Sequence, residues 1–271
     1  MTAAGPEPSD PGRTDARLSP EADRVRSELV TRLLRLDERS DSLVSVIAEW
    51  IARGIIEGRL QPGHDLNSVD LAERFGTSRT PVREALMLLE KEGLVETPPR
   101  RRPQVSTLDL RVVEEVYQLR AELLALVALR VAERARPEQL AQLREDLAAM
   151  EDAAARRDLD AYFWANVAFH ERAAHVADDL TLKRTLDSLG ARVLQLRHFS
   201  LSLPGRMELS LEDHRRLVRA YEEGDGPLAA ALSRSIINAA LQAIRESGWT
   251  KGSVDRRDDA SQPPAVTESS K

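Results

Sequence analysis

Residues 67–97 read NSVDLAERFGTSRTPVREALMLLEKEGLVET, and this stretch decides the fold. Asn67 and Asp70 form a capping pair ahead of a short helix ending near Phe75, because an Asn side chain at a helix start accepts from backbone amides that have no intrahelical partner. Gly76 breaks that helix, Thr77 or Ser78 caps the next, and Gly93 stops it after Glu92. Val82, Ala85, Leu86 and Leu89, joined by Leu94, make the apolar stripe of the second helix. Two short helices around a glycine-bearing turn have the sequence form of a helix-turn-helix. Downstream, Leu94–Thr97 and Gln104–Thr107 are expected to pair as short strands around a Pro98–Pro103 turn, which makes a wing. Upstream, a helix over 42–58 carries Leu43, Val46, Ile47, Trp50, Ile51 and Ile55 on one stripe, and Pro62-Gly63 turns the chain.

The face of the second helix opposite its stripe carries Arg79, Thr80 and Arg83, with Ser78 adding a hydroxyl at its start. Arg79 and Arg83 are four residues apart and share one side. Each guanidinium fork matches guanine O6/N7 or a phosphate, and a helix N-terminus itself favours phosphate. Arg100, Arg101 and Arg102 lie at the expected wing tip, in position for backbone or minor-groove contact. Residues 41–105 hold nine Lys/Arg against ten Asp/Glu, and the whole chain has a formal net charge of −6. A DNA-binding reading therefore rests on where the arginines stand and not on a basic total.

The remaining sequence frames this core. The chain has 271 residues, 42% of them apolar, which suits two globular domains. Residues 1–20, rich in Pro, Gly and Asp, and the tail 249–271 are expected to be disordered. Residues 21–38 have helical spacing of Val25, Leu29, Leu33 and Leu36 and are expected to form an extra helix packed on a neighbour. The DNA-binding unit is expected over 39–105. From 106 to 248 proline and glycine thin out and Ala, Leu and Arg dominate, which predicts helices over 109–134, 137–155, 158–175, 178–199, 209–223 and 226–247 packed as a bundle. The fold class is thus mainly α: a winged helix-turn-helix followed by an all-α effector domain. The chain has no cysteine, which excludes disulfides and thiolate zinc sites. The N-terminal segment has no signal-peptide core and no apolar run spans a bilayer, so a cytoplasmic protein without membrane contact is expected.

Within the bundle region, Asn166 and His170 lie one helical turn apart and His214 sits on a later helix. Two imidazoles and a carboxamide oxygen form a partial donor set for Zn, Mn or Ni, and buried histidines satisfied by neighbours are the alternative.

The stretch LQPGHDLNSVDLAERFGTSRTPVREALMLLEKEGLVETPPRRRPQV resembles the DNA-binding domain of the GntR family of bacterial regulators over residues 43–105. The resemblance implies that Arg79, Thr80 and Arg83 are DNA-contact positions. Two residues depart from the family pattern: Arg102 replaces a common wing-tip glycine, and Ser68 replaces a frequent acidic residue. VYQLRAELLALVALRVAERA, ANVAFHERA and HRRLVRAYEEGD resemble the FCD effector domain over about 109–245, and six predicted helices match the VanR-type subgroup better than the FadR type. The usual FCD metal set then falls on Asn166, His170 and His214, with Ile236 at the fourth position, and Leu124 stands where a glutamate is frequent. A metal completed by water or an organic acid, and a metal-free pocket in which Arg120 or Arg192 holds the effector, both remain open at this point. Tyr117 and Tyr162 are expected to line the same interior.

The resemblance, with the His, Asn and Arg candidates, implies a homodimeric repressor that binds a pseudo-palindromic double-stranded operator and is released by a small organic acid. The alternatives are a metal-dependent enzyme and a helical interaction module that does not bind DNA. No nucleophile constellation or phosphate-cradling glycine loop supports an enzyme.

Overall fold

The computed structural model describes residues 26–28, 30–32 and 42–248. The expectations for 1–20 and 249–271 lie outside the described residues, as does much of the helix expected over 21–38.

The N-terminal unit forms as its capping residues dictate. Helix α1 (Leu43–Ile56) starts where Ser42 Oγ accepts from Ser45 N–H, and it buries Ile47, Ala48, Ile51, Ala52 and Ile55. Helix α2 (Ser68–Arg74) starts at Asn67, whose Oδ1 accepts from Val69 N–H at 3.0 Å while its Nδ2 donates to Asp70 at 2.8 Å. Trp50 of α1 meets Phe75 edge-on at 5.5 Å and carries the Arg74 guanidinium over its face, which fixes α2 against α1. Helix α3 (Arg79–Lys91) buries Val82, Ala85, Leu86 and Leu89, the stripe read from the sequence. Each of the valine and leucine side chains contributes roughly 1.5–3 kcal/mol on leaving water. Gly93, at φ +73°, reverses the chain so that Leu94 N–H returns to Leu89 O.

The wing is shorter than expected. Strands β1 (Val95–Glu96) and β2 (Gln104–Val105) pair antiparallel, Val95 opposite Val105 and Glu96 opposite Gln104. The segment before α2 completes the sheet: Val105 N–H bonds to His64 O, Leu66 N–H to Pro103 O, and Asp65 bridges Gln104.

Seven helices follow among the described residues: α4 (Leu110–Arg134), α5 (Pro137–Ala155), α6 (Leu159–Val176), α7 (Leu180–Ser188), α8 (Arg192–Ser202), α9 (Arg206–Glu222) and α10 (Gly226–Glu246). Helix α10 packs along α4, α5 along α6, and α9 against α5 and α10. The single helix expected over 178–199 is two, because Gly190 takes φ +76° and turns the chain between α7 and α8. Helix α9 begins three residues before its expected start, because Gly205 at φ +72° takes the N-cap directly after Pro204. With six helices corrected to seven, the subgroup expectation loses the observation it rested on. No helix among the described residues is long and apolar enough to cross a membrane.

One apolar core runs through both units without a gap. At the junction, α8 packs on α1. The Glu57 carboxylate, buried at the end of α1, accepts from Trp164 Nε1 of α6 at 3.0 Å and lies 3.6 Å from Arg26 Nη1; Arg53 and Arg59 pair with it too. Residues 26–28 and 30–32 are helical and span this junction: Val30 is buried, Ser27 Oγ donates to Glu49, and Arg32 pairs with Glu171 of α6.

Candidate functional site

Two sites emerge from this architecture. The first is on the N-terminal unit. Ser78, Arg79, Thr80 and Arg83 are all exposed at the start of α3, because the stripe that packs on α1 faces the other way. A surface groove of about 550 Å³ brings Arg79 and Arg83 together with Arg101 and Arg102 of the wing, over Ser68 and Val69 of α2. Arg100 is exposed at the wing tip, outside that groove. The tip is a turn closed by Arg101 N–H to Pro98 O at 3.0 Å, and it holds Arg100 at φ +64°. Glycine normally takes that conformation, so the position that asks for glycine is 100, two residues before the one singled out from the sequence.

The second site is inside the bundle. Asn166 and His170 on α6, His214 on α9, Arg197 on α8 and Arg120 and Tyr117 on α4 are all buried. Arg197 Nη2 donates to Asn166 Oδ1 at 2.7 Å and to the Asn166 carbonyl at 3.3 Å. Asn166 Nδ2 lies 3.0 Å from His214 Nε2, which also lies 3.2 Å from His170 Nε2. His214 Nδ1 lies 2.6 Å from the Ser210 carbonyl and must be its protonated nitrogen. His214 Nε2 is then the acceptor, taking hydrogen bonds from both Asn166 and His170.

A small cavity of about 60 Å³ adjoins this cluster, lined by Arg120, His170, Glu171, Lys183, Asp187 and Arg197 together with apolar side chains. Asn166, His214 and Tyr117 do not line it. Tyr162 turns instead toward Ser210 and Arg206 at the start of α9. Arg192 is not part of the cluster: it is exposed at the start of α8, with its guanidinium lying over Gly93, where an added Cβ would fall 1.8 Å from Nη2. Arg197, one turn and a half further on, has the place expected of Arg192. Helix α8 is buried nearly all round, Val193 to His198 without a break and then Ser200 and Leu201. With no exposed face to set its phase, the helix carried no local signal that Arg197 and not Arg192 would enter the cluster.

Burial sets the electrostatics. It lowers the Arg197 pKa to about 9 and that of Arg120 to about 10, so both stay cationic at neutral pH. Burial, with both guanidiniums nearby, lowers His214 to about 4 and His170 well below its usual value, so both rings are neutral. Burial also pushes the Tyr117 hydroxyl up. The unfolded chain therefore binds protons near pH 6.5 that the folded chain refuses. Stability from these rings is complete above that pH and is lost as pH falls toward about 4, the His214 value. A thermal-unfolding series from pH 7 to pH 5 should show a loss of about 2–4 kcal/mol that is reduced in His170→Gln; a flat profile would contradict this arrangement.

The donor set does not fit a resident divalent metal. The Asn166 oxygen is taken by a guanidinium, and the His214 lone pair already accepts from two neighbours. Ile236, buried at the fourth position, has no donor atom. No carboxylate joins the set to offset metal charge, whereas two arginine cations do face it. Among the described residues, no group of three His, Cys, Asp or Glu side chains could hold a metal ion.

Comparisons with known proteins agree with this architecture. Residues 43–105 match the family model for bacterial regulatory proteins of the gntR family, and residues 115–239 match that of the FCD domain. The chain is 29% identical over 197 residues to the HTH-type transcriptional repressor RspR of Escherichia coli (strain K12), covering 73% of this chain and 85% of that protein. It is 32% identical over 164 residues to the uncharacterized HTH-type transcriptional regulator YdhC of Bacillus subtilis (strain 168), covering 60% and 73%. Among solved structures, E. coli McbR/YncC superposes with a TM-score of 0.65 at 23% identity, over 76% of this chain and 99% of that one, which shows a shared fold. Matched in both of its parts, the chain belongs to the GntR family of bacterial regulatory proteins and carries an FCD domain, which makes it a regulator of transcription and not a catalyst.

Proposed function

We propose that this protein is a repressor that binds a pseudo-palindromic operator as a homodimer and lets go of it when a small carboxylate-bearing metabolite enters the bundle. The observation that carries the DNA half is the groove shared by Arg79, Arg83, Arg101 and Arg102. It lies at the surface and is lined by four cations against one acid, Glu90, which suits contact with a phosphate backbone and base edges. Dimerisation is supported by Val112, Leu119 and Leu126, which are exposed on α4 at seven-residue intervals and so share one face. Repression is the activity that the similar protein RspR carries in its name; an organic acid is supported by the buried arginines.

A route for coupling exists. Gly190 and Val193 line both the small bundle cavity and a larger one, about 420 Å³, between the end of α3 and the bundle. A ligand that moves the α7–α8 turn therefore acts on the contact between Arg192 and Gly93, where the recognition helix ends. It changes DNA affinity to the extent that it binds the two arrangements unequally.

The test is a selection of bound sequences from random duplexes, followed by titration of short carboxylic acids against the selected site. An enriched inverted repeat whose binding weakens with salt and with one of the acids is expected. A selection that enriches no sequence would remove the regulator reading in favour of a helical interaction module.

A further inference from the structure

We propose that Arg197 does the work a metal would do in this bundle: with Arg120 it binds the carboxylate of a small monoanionic acid directly, and no divalent ion takes part. The inference rests on reading the chain as a ligand-responsive regulator and specifies the chemistry of its effector site.

The cavity wall holds three cations, Arg120, Lys183 and Arg197, against two acids, Glu171 and Asp187. Both acids are already engaged, since Lys183 Nζ lies 3.1 Å from Glu171 and 2.5 Å from Asp187, and Arg32 also pairs with Glu171. No carboxylate among the described residues lies within ion-pair distance of Arg120 or Arg197. Two buried guanidiniums without a contacting anion are costly, and a carboxylate brought between them offsets that cost.

Geometry then says which way they act. Asn166, through its side-chain and backbone oxygens, takes hydrogen bonds from a single nitrogen of Arg197 and fixes the guanidinium plane. The other N–H donors of that fork, and those of Arg120, remain for a ligand. The Asn166–His214–His170 chain is closed on itself and on the Ser210 carbonyl, so it serves as a scaffold that orients Arg197 and is not a ligand set. The cavity, about 60 Å³, has room for a head group the size of acetate or propionate. Its remaining lining, including Leu124, Val167 and Leu194, is apolar and suits a short hydrocarbon tail. The wall nearest the DNA-binding unit is the α7–α8 turn at Gly190, the element through which occupancy is felt outside.

The experiment uses the full chain, purified without metal and then assayed for metal content. Thermal shift and calorimetry follow with acetate, propionate and lactate, with and without EDTA, and with Zn, Mn or Ni alone. The expected result is less than stoichiometric metal, no stabilisation by metal alone, and stabilisation by at least one acid that EDTA leaves unchanged. Arg197→Lys keeps a charge but loses the fork, and Arg120→Gln loses charge; each should weaken that acid by about 10–100-fold. Both variants should keep the wild-type circular dichroism, and operator binding by the wild-type protein is scored on its own, which separates this proposal from the regulator reading. Stoichiometric metal whose removal abolishes acid binding overturns the proposal, and so does the absence of a shift with all three acids. If Arg197→Lys unfolds, Asn166→Ala, which frees the guanidinium without removing it, should weaken the acid without conferring or abolishing metal binding; unchanged acid affinity would overturn the proposal.

Discussion

Replacing Arg79 and Arg83 together with alanine is expected to abolish operator binding while leaving the protein folded. Both side chains are exposed and line one groove with the wing arginines, so their removal opens no cavity in the core. A good bidentate contact to a base is worth about 1–3 kcal/mol. A symmetric dimer presents each arginine twice, so the lower bound for the double variant is roughly 4 kcal/mol, or about a thousandfold in affinity. The unfolding free energy should move by less than about 0.5 kcal/mol. Replacing Arg101 and Arg102 should act differently: affinity falls for all sequences alike, and the slope of log affinity against log salt drops by about one for each phosphate that is no longer neutralised. Fluorescence anisotropy on selected and scrambled duplexes over a salt series checks both. Retention of tight, sequence-dependent binding by the double variant would rule out α3 as the reading element.

The second large effect is expected at Glu57. Its carboxylate is buried among Arg26, Arg53, Arg59 and the Trp164 indole, where the end of α1 meets the bundle. Glu57→Leu removes the shared anion and leaves the buried Arg26 side chain beside an aliphatic group. Breaking a buried pair in this way costs about 3–5 kcal/mol. Because Trp164 lies on the same helix as Asn166 and His170, the loss should also loosen α6 against α1. Glu57→Gln keeps an acceptor for the Trp164 N–H and loses only the charge, so its smaller effect isolates the ionic part. Denaturant unfolding and hydrogen exchange across α1 and α6 provide the readout. A Glu57→Leu variant as stable as wild type, with unchanged exchange, would show that the two units are held together by apolar contact alone.

The difference between these two positions shows what a sequence can reveal. Arg79 and Arg83 were legible because their exposure follows from a local period: Val82, Ala85, Leu86 and Leu89 must face inward, and the arginines fall on the opposite side of the same helix. Glu57 gave no such signal. Beside its near neighbours Arg53 and Arg59, its partners are Trp164, more than a hundred residues away, and Arg26 in a segment ahead of the family match. Spacing placed Asn166 and His170 on one side of a helix and the FCD resemblance added His214; the three do meet, and Arg197, on another helix, takes the Asn166 oxygen.

The chain's own residues were enough to determine the winged helix-turn-helix, the exposed arginine face of its second helix, and the change to a helical bundle after the wing. Capping atoms, left-handed glycines and apolar periods act within a few residues of where they are written. Only the tertiary structure decided that Gly190 divides one expected helix into two, that Arg192 rests on Gly93, that Arg197 is the cation bonded to Asn166, and that an arginine holds the oxygen a metal would need. The physical reason is that these outcomes depend on the rotational phase of α8 and on which side chains meet across packed helices. Burial and charge compensation settle those meetings between segments far apart in the sequence, and no local pattern records them.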